Sequence, residues 1–243
     1  MTISATKKVG ELAAEVPRAI PLFEGLGIDY CCGGNQSLEE ACASAGVKTE
    51  QVIHTLEDAT AATTPGESGK NWQVEPLSLL TTHIVDRHHS YVSSELARLG
   101  ALLDKVCSVH GQNHSELFTI QQFFTGLSQE MTMHMYKEEN ILFPYIEQME
   151  AALNGRRPMP YPPFGSVLNP IQMMEMEHDT AAEALRGMRK SSSNFSVPAD
   201  GCASYQALYK GLVDFEQDLH LHIHLENNIL FPRATAMETG IRT

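Results

Sequence analysis

The sequence predicts an all-α fold: a four-helix bundle preceded by a small N-terminal helical domain. Three observations carry that expectation. Apolar residues recur at helical spacing through most of the chain, and few segments alternate as strands do. The breaks fall where composition shifts, at ATAATTPGESGKNWQVE (59–75) and at NGRRPMPYPPFGSVLNP (154–170), the latter with five prolines. Finally, residues 134–144, HMYKEENILFP, recur without a gap at 222–232 as HIHLENNILFP. A helical hairpin is half of a four-helix bundle, and its duplication completes one.

Taken in order, residues 1–58 form the N-terminal domain. VGELAAEVPRAIPLFEGLG has helical periodicity, with Gly25 and Gly27 as stops. SLEEACASAG opens with Ser37 and has Glu40 three residues later, a capping-box pattern. Between them lies Asp29-Tyr30-Cys31-Cys32-Gly33-Gly34. Residues 59–75 read as a linker. The bundle occupies 76–243, with helices expected at 76–106, 113–150, 170–190 and 202–237, and with Pro144 and Pro232 stopping or kinking their helices.

Composition narrows the function. The chain has 243 residues, 42% of them hydrophobic and 19% charged, as an ordinary globular protein does. Its net charge of −13 argues against non-specific nucleic-acid binding and against a basic membrane patch. No apolar run approaches the roughly 20 residues of a membrane span, and the N-terminus turns polar too early for a signal peptide. These features point to the cytoplasm. Five irregularly spaced cysteines do not make a disulfide framework. Cys42, Cys107 and Cys202 read as packing residues.

The histidines are not scattered. Each half of the bundle has an upstream His (His89, His178), then 44 or 45 residues, then His-x-x-x-Glu (His134 with Glu138, His222 with Glu226). Residues i and i+4 share a helix face, so each pair aims an imidazole and a carboxylate at one spot. All six interrupt apolar stripes: Val85, Val92, Leu96, Leu99 and Leu103 on the first helix; Leu127, Met131, Ile141 and Tyr145 on the second; Ile171, Met174, Ala181, Leu185 and Met188 on the third; Leu208, Leu212, Phe215, Leu219 and Ile229 on the fourth. Buried carboxylates are costly unless paired or metal-bound. Four imidazoles and two carboxylates without a thiolate suit two first-row metal ions, and the ligand types permit manganese as well as iron. Of the adjacent His88 and His89, only one is expected to face the core, and helical phase selects His89. His83, His220 and His224 lie off the stripes and are expected at the surface or behind the ligands. Asn140 and Asn228 are assigned structural roles, and Leu-Phe-Pro the packing of a helix end. Glu130 and Glu177 lie close to expected ligands and suggest an acidic route for cations.

This layout resembles the hemerythrin-like (HHE cation-binding) domains. With DYCCGG and SLEEAC before it, nearly the whole chain is similar to the repair of iron centres family, the ScdA/YtfE-like proteins. The Pro-rich segment at 154–170 is longer than the family's usual connection but leaves the ligand spacing intact. The resemblance implies a bacterial non-haem di-iron protein that repairs iron–sulfur clusters damaged by nitric oxide or oxidative stress, by supplying iron. It implies His89, His134, Glu138, His178, His222 and Glu226 as ligands of two oxo- and carboxylate-bridged irons, with Glu138 and Glu226 bridging. Glu130 and Glu177 match family acids near the centre, and Cys31 and Cys32 match the family's cysteine pair, read as a redox couple or as transient soft ligands for iron. The implied partners are damaged iron–sulfur proteins and the small ligands nitric oxide or oxygen, and a homodimer is compatible with the resemblance. The alternatives are an oxygen- or nitric-oxide-binding or sensing module, and nitric-oxide reduction at the di-iron pair.

Overall fold

The computed structural model describes residues 3–61, 70–155 and 160–242. Among them there is no strand, and the only β-type contact is an isolated bridge between Lys8 and Ser37. The N-terminal domain comprises α1 (Val9–Glu15), α2 (Ala19–Leu26), α3 (Leu38–Ala45) and α4 (Thr49–Ala61). The first apolar stretch is two helices rather than one, because the chain breaks at Val16 and Pro17, which has no N–H to continue the ladder. Gly25 lies inside α2. Gly27 alone ends it, at φ 68°, a left-handed position that a side chain would strain. The capping box at α3 forms as expected: Glu40 N–H donates to Ser37 Oγ (3.2 Å), and Ser37 N–H donates to Glu40 Oε2 (2.9 Å). Of the expected linker, residues 62–69 lie outside the described ones. Trp72 packs onto the bundle, its ring 4.6 Å from that of His83 and its carbonyl accepting a bond from Arg233.

The bundle's four long helices fall close to their expected ranges. The first is α5 (Leu77–His83) running through a π turn (Ile84–His89) into α6 (Ser90–His110). The second is α7 (Glu116–Lys137), a π turn (Glu138–Leu142) and α8 (Phe143–Leu153). The third, α9 (Leu168–Ser191), is unbroken, and Pro170 sits in its first turn, where the missing N–H has no intrahelical partner to lose. Residues 156–159 of the Pro-rich stretch before it lie outside the described residues. The fourth is α10 (Ala203–Leu225), a π turn (Glu226–Leu230) and α11 (Phe231–Arg242).

Pro144 and Pro232 do not stop their helices; each follows a π turn, and the chain continues helical beyond it. A π turn also shifts helical phase. Ile141, placed on the core stripe by strict periodicity, is 47% exposed, and its neighbour Leu142 is buried instead.

The helices bury two apolar clusters. One holds Val92, Leu96, Leu127, Met135, Ala181, Leu219 and Ile223 and continues into the N-terminal domain through Phe23 and Tyr30. The other holds Ile84, Leu142, Met174, Ile229, Phe143 and Phe231. On every long helix the histidines and glutamates fall at the junction of the two clusters: His89 and His178 lie between them, and on the second and fourth helices His134 and His222 lie at the end of the first cluster's run while Glu138 and Glu226 precede Leu142 and Ile229 of the second. The polar residues therefore form a layer across the bundle, sealed above and below by hydrocarbon.

Candidate metal centre

His89, His134, Glu138, His178, His222 and Glu226 converge in this layer, none more than 2% exposed. They form two overlapping groups. One is His89, His222, Glu138 and Glu226; the other is His134, His178, Glu138 and Glu226. Each imidazole pair takes one residue from each half of the repeat, and both carboxylates belong to both groups. Nε2 of His89 lies 3.1 Å from that of His222, and Nε2 of His178 lies 3.0 Å from that of His134. Glu138 Oε2 stands 3.2 Å from His134 and 3.4 Å from His89. Glu226 Oε1 stands 2.9 Å from His222 and 3.9 Å from His89, and its Oε2 lies 3.1 Å from His178.

The donor set fits two cations. Both oxygens of Glu138 and Oε2 of Glu226 are buried without a hydrogen-bond partner among the described residues, which is unfavourable for an anion in hydrocarbon. Imidazole nitrogens facing each other at hydrogen-bond distance, with carboxylates beside them, make two nests of lone pairs that divalent metal ions would satisfy.

The outward nitrogens are held in turn. His89 Nδ1 pairs with Glu139 Oε1 at 2.8 Å, His134 Nδ1 with Glu177 Oε2 at 2.9 Å, and His178 Nδ1 with Asn227 Oδ1 at 2.8 Å. Such partners fix ring orientation and tautomer. Phe143 stacks on His89 and Phe231 on His178, at 5.8 and 6.1 Å between centroids. Sequence reasoning missed Glu139, Asn227 and both phenylalanines. The signal was in the repeat, where Glu139 and Asn227, like Phe143 and Phe231, occupy equivalent positions.

Without metal, the layer holds protons instead. Burial opposes charge on His89, but the adjacent carboxylates of Glu138 and Glu226 outweigh it and raise its pKa to about 10. Burial likewise opposes charge on His134, and the attraction of Glu138 outweighs it, again to about 10. Glu138 and Glu226 are both lowered; burial works against this, and the surrounding histidines prevail. Burial dominates at His222, whose pKa falls. Glu177 is lowered to about 2, chiefly by its bond to His134, with Lys137 assisting.

Other expectations fare differently. His88 is as buried as His89, so both members of the pair face inward; the π turn that carries them makes this compatible with one helix. His224 is buried rather than at the surface, its ring 5.4 Å from that of Tyr30. His220 is half-buried and pairs with Glu24 of α2 at 2.9 Å. Both therefore lie where the N-terminal domain docks. Glu177 joins the centre through His134, but Glu130 is exposed and forms no ion pair or side-chain hydrogen bond among the described residues. Cys202 is exposed, with Sγ 3.2 Å from His110 Nε2, whereas Cys42 and Cys107 are buried.

The Cys31–Cys32 loop lies against the bundle. Asp29 Oδ1 accepts the N–H groups of Cys32 (3.0 Å) and Gly33 (2.9 Å) and the thiol of Cys31 (3.4 Å). Cys32 Sγ lies 3.7 Å from the carbonyl oxygen of His178. The pKa of Cys31 is raised by its bond to Cys32 and by burial. Asn228 pins the loop by donating to the carbonyls of Tyr30 and Cys31 (3.2 Å each), while Asn140 only bonds its own helix at Tyr136.

Residues 80–234 match the family model described as the hemerythrin HHE cation binding domain, and residues 5–60 match one described as a domain of unknown function (DUF542). The chain is 37% identical over 230 residues to proteins named iron-sulfur cluster repair protein YtfE from Citrobacter koseri, Escherichia coli O8 and Shigella boydii serotype 4, covering 95% of this chain and 97% of each relative.

Proposed function

Because the chain belongs to the hemerythrin HHE cation-binding family and to the family of iron–sulfur cluster repair proteins that its relatives represent, we propose that it binds two iron ions in the polar layer and supplies iron to damaged iron–sulfur clusters. The observation that carries this reading is the sharing of Glu138 and Glu226 between two imidazole pairs. His89 with His222 would hold one ion, His134 with His178 the other, and the two carboxylates would bridge. Bound there, iron is redox-active and its oxygen ligands are exchangeable. The protein's own part is to keep the lone pairs converged, to hold the outward nitrogens with Glu139, Glu177 and Asn227, and to exclude water with Phe143 and Phe231. Iron given up is cargo, and Cys32, whose Sγ lies 3.7 Å from the His178 carbonyl, would act with its neighbour Cys31 as soft ligands for it. The clients are damaged iron–sulfur proteins. No helix among the described residues is long and apolar enough to cross a membrane, in keeping with work in the cytoplasm.

The test is reconstitution. Iron-loaded protein is mixed with a cluster enzyme inactivated by nitric oxide, beside a Glu138→Ala/Glu226→Ala variant and an equal amount of free iron. Recovery with the wild-type chain alone supports the reading. Equal recovery with the variant sinks it.

A further inference from the structure

The pseudo-twofold that relates the hairpins pairs His89 with His178, His134 with His222, Glu139 with Asn227, and His88 with Glu177. It is obeyed at three of the four imidazoles, whose outward nitrogens all have acceptors. It fails at the fourth. His222 Nδ1 is fully buried and has no partner among the described residues. The position that should serve it, by analogy with Glu177 serving His134, holds His88. His88 turns away, its Nδ1 paired with Asp218 Oδ2 at 3.1 Å, and its own Nε2 is buried with no hydrogen-bond partner among the described residues. The two rings lie nearly parallel, 11° apart, with centroids 5.8 Å apart.

A metal on His222 Nε2 leaves the ring proton on Nδ1, where nothing accepts it. At the other three ligands that proton is received by a carboxylate or an amide oxygen. Loss of such an outer partner weakens metal binding by roughly 10- to 100-fold. We propose that the two pockets are unequal. The pocket of His89 and His222 is the labile one, that of His134 and His178 is the retaining one, and the missing partner on His222 sets the difference. The inference rests on the di-iron reading above, but not on repair as the purpose.

There is a rival. Cys32 leans on the carbonyl of His178, so a release route through the thiols would empty the His134–His178 pocket first. Iron(II)-loaded protein is mixed anaerobically with excess chromogenic chelator and release is followed optically. Two phases of about one iron each are expected, with rates differing roughly 10- to 100-fold. Crystals of protein stopped after the first phase should show anomalous scattering from iron between His134 and His178 only. His88→Gln gives His222 the kind of amide acceptor that Asn227 gives His178, without burying a carboxylate beside Asp218. It should slow the first phase and leave the second unchanged. Asn227→Ala and Glu177→Gln should speed the second phase only. A single phase in the wild-type chain, or residual iron between His89 and His222, overturns the proposal. Metal release needs no client, so ordered release without repair would refute the proposed function and leave this inference standing, and repair with unordered release would do the reverse.

Discussion

Replacing Gly10 by alanine separates local propensity from tertiary fit. Gly10 lies in α1, and glycine to alanine within a helix ordinarily stabilises by about 1 kcal/mol. Here the added methyl would overlap Asn228 Oδ1, stand 2.7 Å from its Cγ and sit 3.0 Å from the Gly34 carbonyl. Asn228 cannot swing aside freely, because its amide holds the carbonyls of Tyr30 and Cys31. Overpacking of this kind costs about 1–3 kcal/mol, and each hydrogen bond lost in relieving it costs about 1 kcal/mol more. With one such bond lost, and against the helical gain, the net is about 1–3 kcal/mol toward undocking, or roughly 5- to 150-fold in the docking equilibrium. Hydrogen exchange of residues 28–37, read by mass spectrometry, should accelerate by that factor, and the buried Cys31 thiol should become correspondingly more reactive. Asn228→Ala alone should also loosen the loop. Gly10→Ala added to Asn228→Ala should cost little or nothing more, because the overlap has gone. Strict additivity of the two substitutions, or slower exchange in Gly10→Ala, would refute the claim that Asn228 is the peg on which the cysteine loop hangs.

Three further outcomes are expected. Glu138→Ala and Glu226→Ala should each lower metal content at both pockets together, since each carboxylate faces both imidazole pairs, and should bring the melting temperature of the iron-loaded protein down toward that of the metal-free form; metal analysis and calorimetry on the same samples check this. In the metal-free protein, His89 and His134 are raised from an ordinary 6.5 to about 10. Their stabilisation is therefore complete below pH 6.5 and lost as pH rises toward 10. That of the lowered Glu138 and Glu226 is present above their ordinary 4.5 and lost on acidification. Melting temperature should fall from pH 7 to 10 while metal affinity rises over the same range, because metal displaces those protons; parallel trends would contradict this. Glu130→Gln should leave metal content unchanged and slow iron uptake at most slightly, an effect that salt removes; a lost metal ion would show that this exposed acid reaches the centre after all.

The convergence of these histidines and glutamates was legible because two constraints coincided at them. A charged or imidazole side chain on an apolar stripe is a local anomaly, and the 88-residue repeat made the same anomaly occur twice. What surrounds them was not legible, and the π turns explain much of it. Each π turn begins or ends at a residue of the polar layer: Ile84–His89 ends at His89, Glu138–Leu142 begins at Glu138, and Glu226–Leu230 begins at Glu226. A period of 3.6 carried through those turns puts Ile141 in the core and allows only one of His88 and His89 to face inward. The wider turn instead buries Leu142, and both histidines are buried. Docking was hidden for a different reason. His220, His224 and Asn228 lie off the stripe that faces the other helices, so within the bundle alone they read as surface. They are covered by Glu24, Tyr30 and the cysteine loop, which are about 190–200 residues away in sequence and follow no periodicity of the bundle. The repeat breaks on that side too. Asn140 and Asn228 are equivalent by sequence, yet only Asn228 has a domain to hold, because the chain has one N-terminal domain and two bundle halves. His222, whose Nδ1 has no partner among the described residues, belongs to the half on which this domain docks, with His224 and Asn228 just beyond it on the same helix. A bundle that kept its pseudo-twofold throughout would offer two like pockets, and a domain docked on one half alone leaves the two free to differ.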